Sequence, residues 1–156
     1  MFQKIKNYLD EKGIRYQVLT PSSECRIFKM QLSGINGTMG FFIDVRDEQV
    51  LIFAVCNANV LQQKRHAVAE LITRINYDMM LGSFKMDYED GEIRYSVSWQ
   101  YDNDFPVSAS VIDHNFMTCA IIMDKYLPAL MSVNYSNTTP VLALREIEKN
   151  PLIELN

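Results

Sequence analysis

The segment from Val111 to Val133, VIDHNFMTCAIIMDKYLPALMSV, constrains the fold most. Its length favours a helix over a strand, and Pro128 is expected to kink that helix or to begin a second helical segment. Apolar residues lie on nearly every side of the predicted helix. Such a helix is either buried on all sides or presents part of its surface to another chain.

A single sheet in a domain of this size rarely encloses a helix completely, so the sequence predicts that part of this helix forms a self-association or ligand-binding surface. Methionine suits adaptable protein surfaces, and the chain contains nine methionines. Met79 and Met117 are instead expected to fill gaps in the core. The candidate interface comprises six apolar residues along the helix: Phe116, Ala120, Met123, Leu127, Leu130 and Met131.

Three strands are predicted before this helix, over residues 25–33, 38–47 and 49–57. The first alternates between polar and apolar residues, and the turn signals between the three segments predict two hairpins in an antiparallel meander. The third strand carries Val50–Val55, which is apolar on both faces. A strand of this kind is covered on both sides or lies at an interface.

The remaining pattern predicts helices and a second hairpin. Helices are expected over residues 1–12 and 62–80, and the second has an apolar stripe at helical spacing. Residues 82–99 read as two strands joined by a turn at Asp90-Gly91. A short final helix is expected to begin with Thr139 as N-cap and Pro140 at its first position.

These elements predict an α+β fold, namely an antiparallel five-stranded sheet with flanking helices in the order α-βββ-α-ββ-α-α. Residues 14–23 are read only as a short extended segment broken at Pro21. With 156 residues, the chain is expected to form a single domain, residues 1–156, in which 148–156 are a C-terminal tail.

Composition argues against several partners. The net charge is −4 and the only basic cluster is Lys64–His66, followed by Arg74, so no nucleic acid partner is predicted. The apolar run 120–123 is far too short for a membrane span, and the N-terminus lacks the apolar core of a signal peptide. Three cysteines with no close spacing fit a reducing compartment. The predicted location is therefore cytoplasmic, with no membrane partner.

No catalytic or metal-binding set is apparent, so the chain is predicted not to be an enzyme. The five positions between His114 and Cys119 correspond to about 500° of helical rotation, so the two side chains point in different directions. The acidic clusters fall in predicted turns, where solvated side chains are expected. No phosphate-binding glycine loop is present. Neither a cofactor nor a metal is predicted.

The stretch LITRINYDMMLGSFKMDYEDGEIRYSVSW, residues 71–99, resembles the YbjN family. It has a helix ending near Asn76, then Gly-x-Phe, a hairpin turning at Asp-Gly and an aliphatic-aromatic strand. MDKYLPALMSV and ALREIE resemble that family's closing helices. The resemblance covers residues 63–148 well, and the first sixty only by element order. Relatives often have Gly after the long helix, where this chain has Tyr135-Ser136-Asn137.

The resemblance implies a fold like that of type III secretion chaperones, frequent homodimers and a role in sensory-transduction regulation without enzyme activity. Together with the residues, it predicts a non-catalytic module that self-associates and holds a client protein segment on an apolar helix or sheet surface. The alternative is a small-molecule sensor or small enzyme. Its pocket would lie between the sheet and the long helix, near Tyr95, Tyr126 or His114.

Overall fold

The structure, a computed structural model, describes residues 1–23, 25–102 and 107–149. Its helices are α1 (Phe2–Glu11), α2 (Arg65–Tyr77), α3 (Ala109–Tyr135) and α4 (Pro140–Glu148). Its strands are β1 (Gln17–Ser22), β2 (Cys25–Ser33), β3 (Thr38–Arg46), β4 (Gln49–Cys56), β5 (Ser83–Met86) and β6 (Ile93–Gln100). Most of the predicted tail, residues 150–156, lies outside the described residues.

All the strand pairs are antiparallel, and the strands lie in the order β1-β2-β3-β4-β6-β5. This confirms the predicted α+β fold, but the predicted count of five strands is wrong. The additional strand is β1, which was expected to be only an extended segment. Every β1 residue is exposed, and Pro21 lies within it. A sheet edge tolerates both features because an edge strand needs hydrogen bonds on one side only.

Side chains alternate between the two faces of the sheet, and the helices pack on one of them. The Phe41 ring lies 4.6 Å from Phe116 of α3, and the Phe28 ring stacks at 4.7 Å on Phe2 of α1. The strand residues of this covered face are almost fully buried: Phe28, Met30, Met39, Phe41, Ile43, Val45, Val50, Ile52, Ala54, Cys56, Ile93, Tyr95 and Val97. The core therefore lies between this face and the helices.

α3 continues through Pro128, so the proline does not begin a second helical segment. A proline cannot donate to the carbonyl four residues earlier, which here belongs to Asp124. The side-chain amide of Asn36, in the β2–β3 turn, donates to that carbonyl at 3.1 Å. The Asp124 carboxylate accepts the backbone N–H groups of Ile35 and Asn36 at 3.1 and 2.9 Å. The turn therefore supplies a partner for the carbonyl that Pro128 leaves free.

The same turn approaches α3 too closely for a side chain at Gly34. A Cβ atom there would lie 2.1 Å from Oδ1 of Asp124. The glycine is required by this contact, because any larger residue would displace the carboxylate that holds the turn.

Polar side chains also position α4, the end of α2 and the segment before α2, and the sequence predicts the first of these contacts. Thr139 accepts the backbone N–H of Leu142 as the N-cap of α4, with Pro140 at the helix start. The Asn76 side chain at the end of α2 donates to the carbonyl of Phe84 and accepts its N–H, at 2.9 and 2.8 Å. Asn134 is fully buried and bonds to Asn59 and Leu61.

Among the described residues, α3 is the one helix long and apolar enough to cross a membrane, judged by length and composition alone. The buried residues of α3 instead pack against the sheet and the other helices, as those of a core helix do.

A double-mutant cycle tests the link between Asn36 and Pro128. Asn36→Ala should lower the free energy of unfolding by about 1 kcal/mol in the wild-type chain. In a Pro128→Ala background the loss should be smaller, because the introduced alanine has a backbone N–H that can donate to the Asp124 carbonyl. Urea denaturation of the four proteins measures both losses. Equal losses in the two backgrounds would show that Asn36 does not compensate for the proline.

Candidate functional site

The six residues of the candidate interface on α3 do not form a common exposed surface. Phe116, Met123, Leu127 and Leu130 are at most 7% exposed because the sheet and neighbouring helices cover them, whereas Ala120 and Met131 are half-buried. Met117, expected in the core, is 43% exposed. A contact between chains on this helix thus remains a prediction, but the four buried members support the chain's own core.

The second face of the sheet, called the open face here, carries a further apolar surface. No described helix packs on it. Strand register places Ile27, Phe42, Leu51, Phe53 and Val55 together on this face. All five are half-buried, although the alternating residues of the same strands are fully buried on the covered face. The sequence predicts that Val50–Val55 is covered on both sides or lies at an interface. Since no described helix covers the open face of this strand, the interface is the alternative that remains a prediction.

Two aromatic rings lie at the centre of the open face. Phe42 and Phe53 are directly paired across β3 and β4, and their rings stack at 4.9 Å with an interplanar angle of 9°. Lys29 Nζ lies 5.9 Å from the centre of the Phe42 ring, and the Arg94 guanidinium lies 5.3 Å from that of Phe53. Each ring therefore has a cation beside it, which combines apolar contact area with positive charge.

A groove of about 560 Å³ begins beside this aromatic pair. Gly40 lies in the groove because its missing side chain leaves the space between Gln31 and Val55 empty. A Cβ atom at Gly40 would lie 3.3 Å from the edge of the Phe42 ring, so a larger side chain would fill part of this space. The lining residues come from β1 to β4 and the adjoining loops: Arg15, Tyr16, Gln17, Lys29, Met30, Gln31, Gly40, Phe42, Val55 and Asn57.

A buried carboxylate lies at the other end of the open face. Asp44 is only 4% exposed and accepts hydrogen bonds from the Arg46 guanidinium at 2.8 and 3.0 Å and from the Cys25 thiol at 3.2 Å. Burial and the neighbouring carboxylate raise the pKa of Cys25, and the same carboxylate raises the pKa of Arg46. The charge of Asp44 is therefore matched locally, and Cys25 remains a neutral thiol at neutral pH.

The described residues do not assemble a catalytic centre from the candidate nucleophiles. Cys119 is buried and donates weakly to the carbonyl of Tyr95, and burial raises its pKa to about 12, so it is not a thiolate at neutral pH. His114 is exposed on α3, as the helical rotation predicts. No group of three or more His, Cys, Asp or Glu residues able to hold a metal occurs within the described ranges.

The residues proposed for a pocket between sheet and α3 do not converge. Tyr95 is fully buried and donates its hydroxyl to the carbonyl of Leu81. Tyr126 packs edge-on against Phe84 at 5.7 Å. His114 lies twelve positions before Tyr126 on one helix, or about 18 Å along its axis. The side chains of Phe116, Cys119 and Met123 belong to the core cluster of this layer.

Comparison with known proteins identifies the family. The sequence model of YbjN, described as "Putative bacterial sensory transduction regulator", matches residues 2–131. The chain belongs to the YbjN family. It is also similar to the solved structure "YbjN, a putative transcription regulator from E. coli", with 14% identity and a TM-score of 0.50, covering 88% of this chain and 91% of that one. At this identity the structural likeness shows the fold alone. No curated protein matches the chain.

Family membership confirms the resemblance found in residues 71–99, and it extends the match through the first strands. The family description names regulation of sensory transduction, in agreement with the regulatory role that the resemblance implies for this chain. The likeness to type III secretion chaperones stays a prediction. Sequence reasoning missed Gly40 and Phe42 because the groove exists only once β3 is paired with both neighbours.

Core and surface positions on α3 should respond differently to a buried charge. Met123→Asp should lower the free energy of unfolding by more than about 3 kcal/mol, because Met123 is fully buried and the carboxylate would have no partner. His114→Asp, on the exposed side of the same helix, should cost less than about 1 kcal/mol. Urea denaturation measures both. A Met123→Asp variant that is a stably folded monomer would show that Met123 is not essential to the core and would support its place in the candidate interface.

Proposed function

We propose that this YbjN-family protein is a non-catalytic regulator that binds a segment of another protein on the open face of its sheet. The observation that carries the proposal is the stacked pair of Phe42 and Phe53 on a face that no described helix covers. Half-buried aromatic residues at the centre of a surface, surrounded by polar groups, are typical of the residues that dominate binding energy at interfaces.

The size of the open face fits a protein partner. Six strands spaced about 4.8 Å apart, with roughly seven residues at about 3.3 Å each, give a face of roughly 600–700 Å². A standard protein interface buries about 800 Å² on each partner. One partner that covers the face and its rim would therefore form an interface of ordinary size.

The chemistry of the described residues supports a binding role. The buried thiols of Cys56 and Cys119 have raised pKa values because burial disfavours the thiolate. Asp44 is engaged by Arg46 rather than paired with a second carboxylate for acid-base work. Function in such a protein depends on what its surface binds.

We also propose that the chain is a homodimer, and that the contact lies on the outer side of α3. Met117, Ala120 and Ile121 lie on one side of the helix within about one turn. Met117 is exposed and the other two are half-buried. This contact is separate from the open face, so both can be occupied at once.

Site-specific photo-crosslinking in cells tests the binding face. A photoreactive amino acid in place of Leu51 on the open face should crosslink to one discrete protein, because the partner covers that face. The matched control replaces Glu70, which is exposed on α2 on the helical side, and should give no such product. Products of equal yield from both positions, or none from Leu51, would contradict the proposed binding face.

Light scattering over a concentration series tests the dimer. Met117→Lys should shift the chain from dimer to monomer at micromolar concentration, because two charges would face each other near the two-fold axis. Thr73→Lys, at an exposed position of α2, is the control and should leave the dimer intact. A wild-type chain that is monomeric at every concentration would remove this part of the proposal.

A further inference from the structure

The open face is cationic although the chain as a whole is acidic, with a net charge of −4. Strand register places Lys29, Arg46, Lys85 and Arg94 on this face, and Arg15 lines its groove. The carboxylates on or beside it are Asp44 and Glu92, which pair with Arg46 and Arg94, and Asp87, which follows β5 two positions after Lys85. Among the described residues, Arg15, Lys29 and Lys85 form no ion pair. Arg15 and Lys29 line the groove, whereas Lys85 lies on the edge strand β5. The unmatched positive charge at the groove is therefore that of Arg15 and Lys29.

From this charge distribution we propose that the occupant of the open face is an acidic protein segment with an apolar residue between its carboxylates. This inference rests on the proposed function and specifies the partner's chemistry. The Phe42–Phe53 pair would receive the apolar side chain, and Lys29 and Arg15 would face a carboxylate on one side of it. On the other side, Arg94 binds Glu92 through Nε and Nη2, and its Nη1 group would face the second carboxylate. Charge-assisted hydrogen bonds from these cations would set the segment's register.

Strand spacing sets the distance between the two carboxylates. Lys29 lies on β2 and Arg94 on β6, which are three strand positions apart in the sheet. Three steps of about 4.8 Å give about 14 Å across the strands. Lys29 is in line with Ser96, two residues along β6 from Arg94, so the full separation is about 16 Å. An extended chain covers that distance in about five residues at about 3.4 Å each. The segment should therefore carry acidic residues about five positions apart, with an aromatic or aliphatic residue midway.

A second copy of this chain does not fit the same face. A two-fold contact would place the cationic surface of one subunit against the identical surface of its partner. Like charges in contact disfavour such a pairing, and the exposed Lys29 and Arg15 lie beside the groove in both copies. An acidic segment would not meet this repulsion, and its negative charge would complement the cations beside the groove.

Selection from a displayed library of random ten-residue peptides tests the inference. Peptides that bind the wild-type protein should be enriched in Asp and Glu about five positions apart around an apolar residue. The variant Arg15→Glu/Lys29→Glu should bind the selected peptides about tenfold more weakly, a change of about 1.4 kcal/mol. Lys4→Glu/Lys125→Glu changes the net charge equally on the helical side and should alter affinity less than about twofold.

Peptides in which Glu is replaced by Gln provide a second test that leaves the protein unchanged, so the inference remains testable if the charge-reversed variant fails to fold. They should also bind about tenfold more weakly. Enriched peptides without acidic residues would overturn the acidic partner but leave the proposed binding function standing. No enriched peptide, together with no crosslink from position 51, would overturn both.

Two other anionic ligands are tested with the same proteins. A twenty-nucleotide poly-uridylate and vesicles of phosphatidylglycerol would be attracted by positive charge alone and need no apolar residue at the Phe42–Phe53 pair. Neither should compete with the selected peptides at physiological salt. Competition by either probe that depends on Arg15 and Lys29 would overturn the assignment to a protein segment.

Discussion

The packing of α3 against one face of the sheet is the contact on which the rest of the structure depends. Phe116 meets Phe41 across this layer, and Cys119 reaches the backbone of β6. The other helices join the same side, so the core has two layers. A six-stranded sheet covered on one side necessarily has a second face, and here that face carries stacked aromatic rings rather than only polar residues. The candidate site is thus a consequence of how the core is built.

Much of the fold could be predicted because its signals are local. The apolar stripe of α2, the cap at Thr139 and the turn at Asp90-Gly91 each depend on residues within a few positions of one another. β1 could not be recognised in this way, since a fully exposed edge strand containing Pro21 lacks alternation in burial. The continuity of α3 through Pro128 was equally hidden, because the compensating donor Asn36 is 92 positions away in the sequence.

The candidate site was harder to predict, for a related physical reason. An all-round apolar helix shows that much surface must be covered, but composition does not say which neighbour covers it. The chain's own sheet and helices cover Met123 and Leu130 completely. The open face, by contrast, forms only when register brings Phe42, Phe53 and Lys29 together from three strands. The apolar strand Val50–Val55 was the one sequence signal that pointed to it.

The same geometry separates the residues that stabilise this protein from those of the proposed binding face. Residues of the covered face are fully buried, so changing them costs stability before it changes binding. Phe42 and Phe53 are half-buried and Lys29 is exposed, so replacing them alters the surface with a smaller effect on the core. A fold shared with YbjN at 14% identity can therefore present different open faces on one scaffold. In the proposed binding role, the identity of the partner would then depend on the charges and apolar contacts of that face.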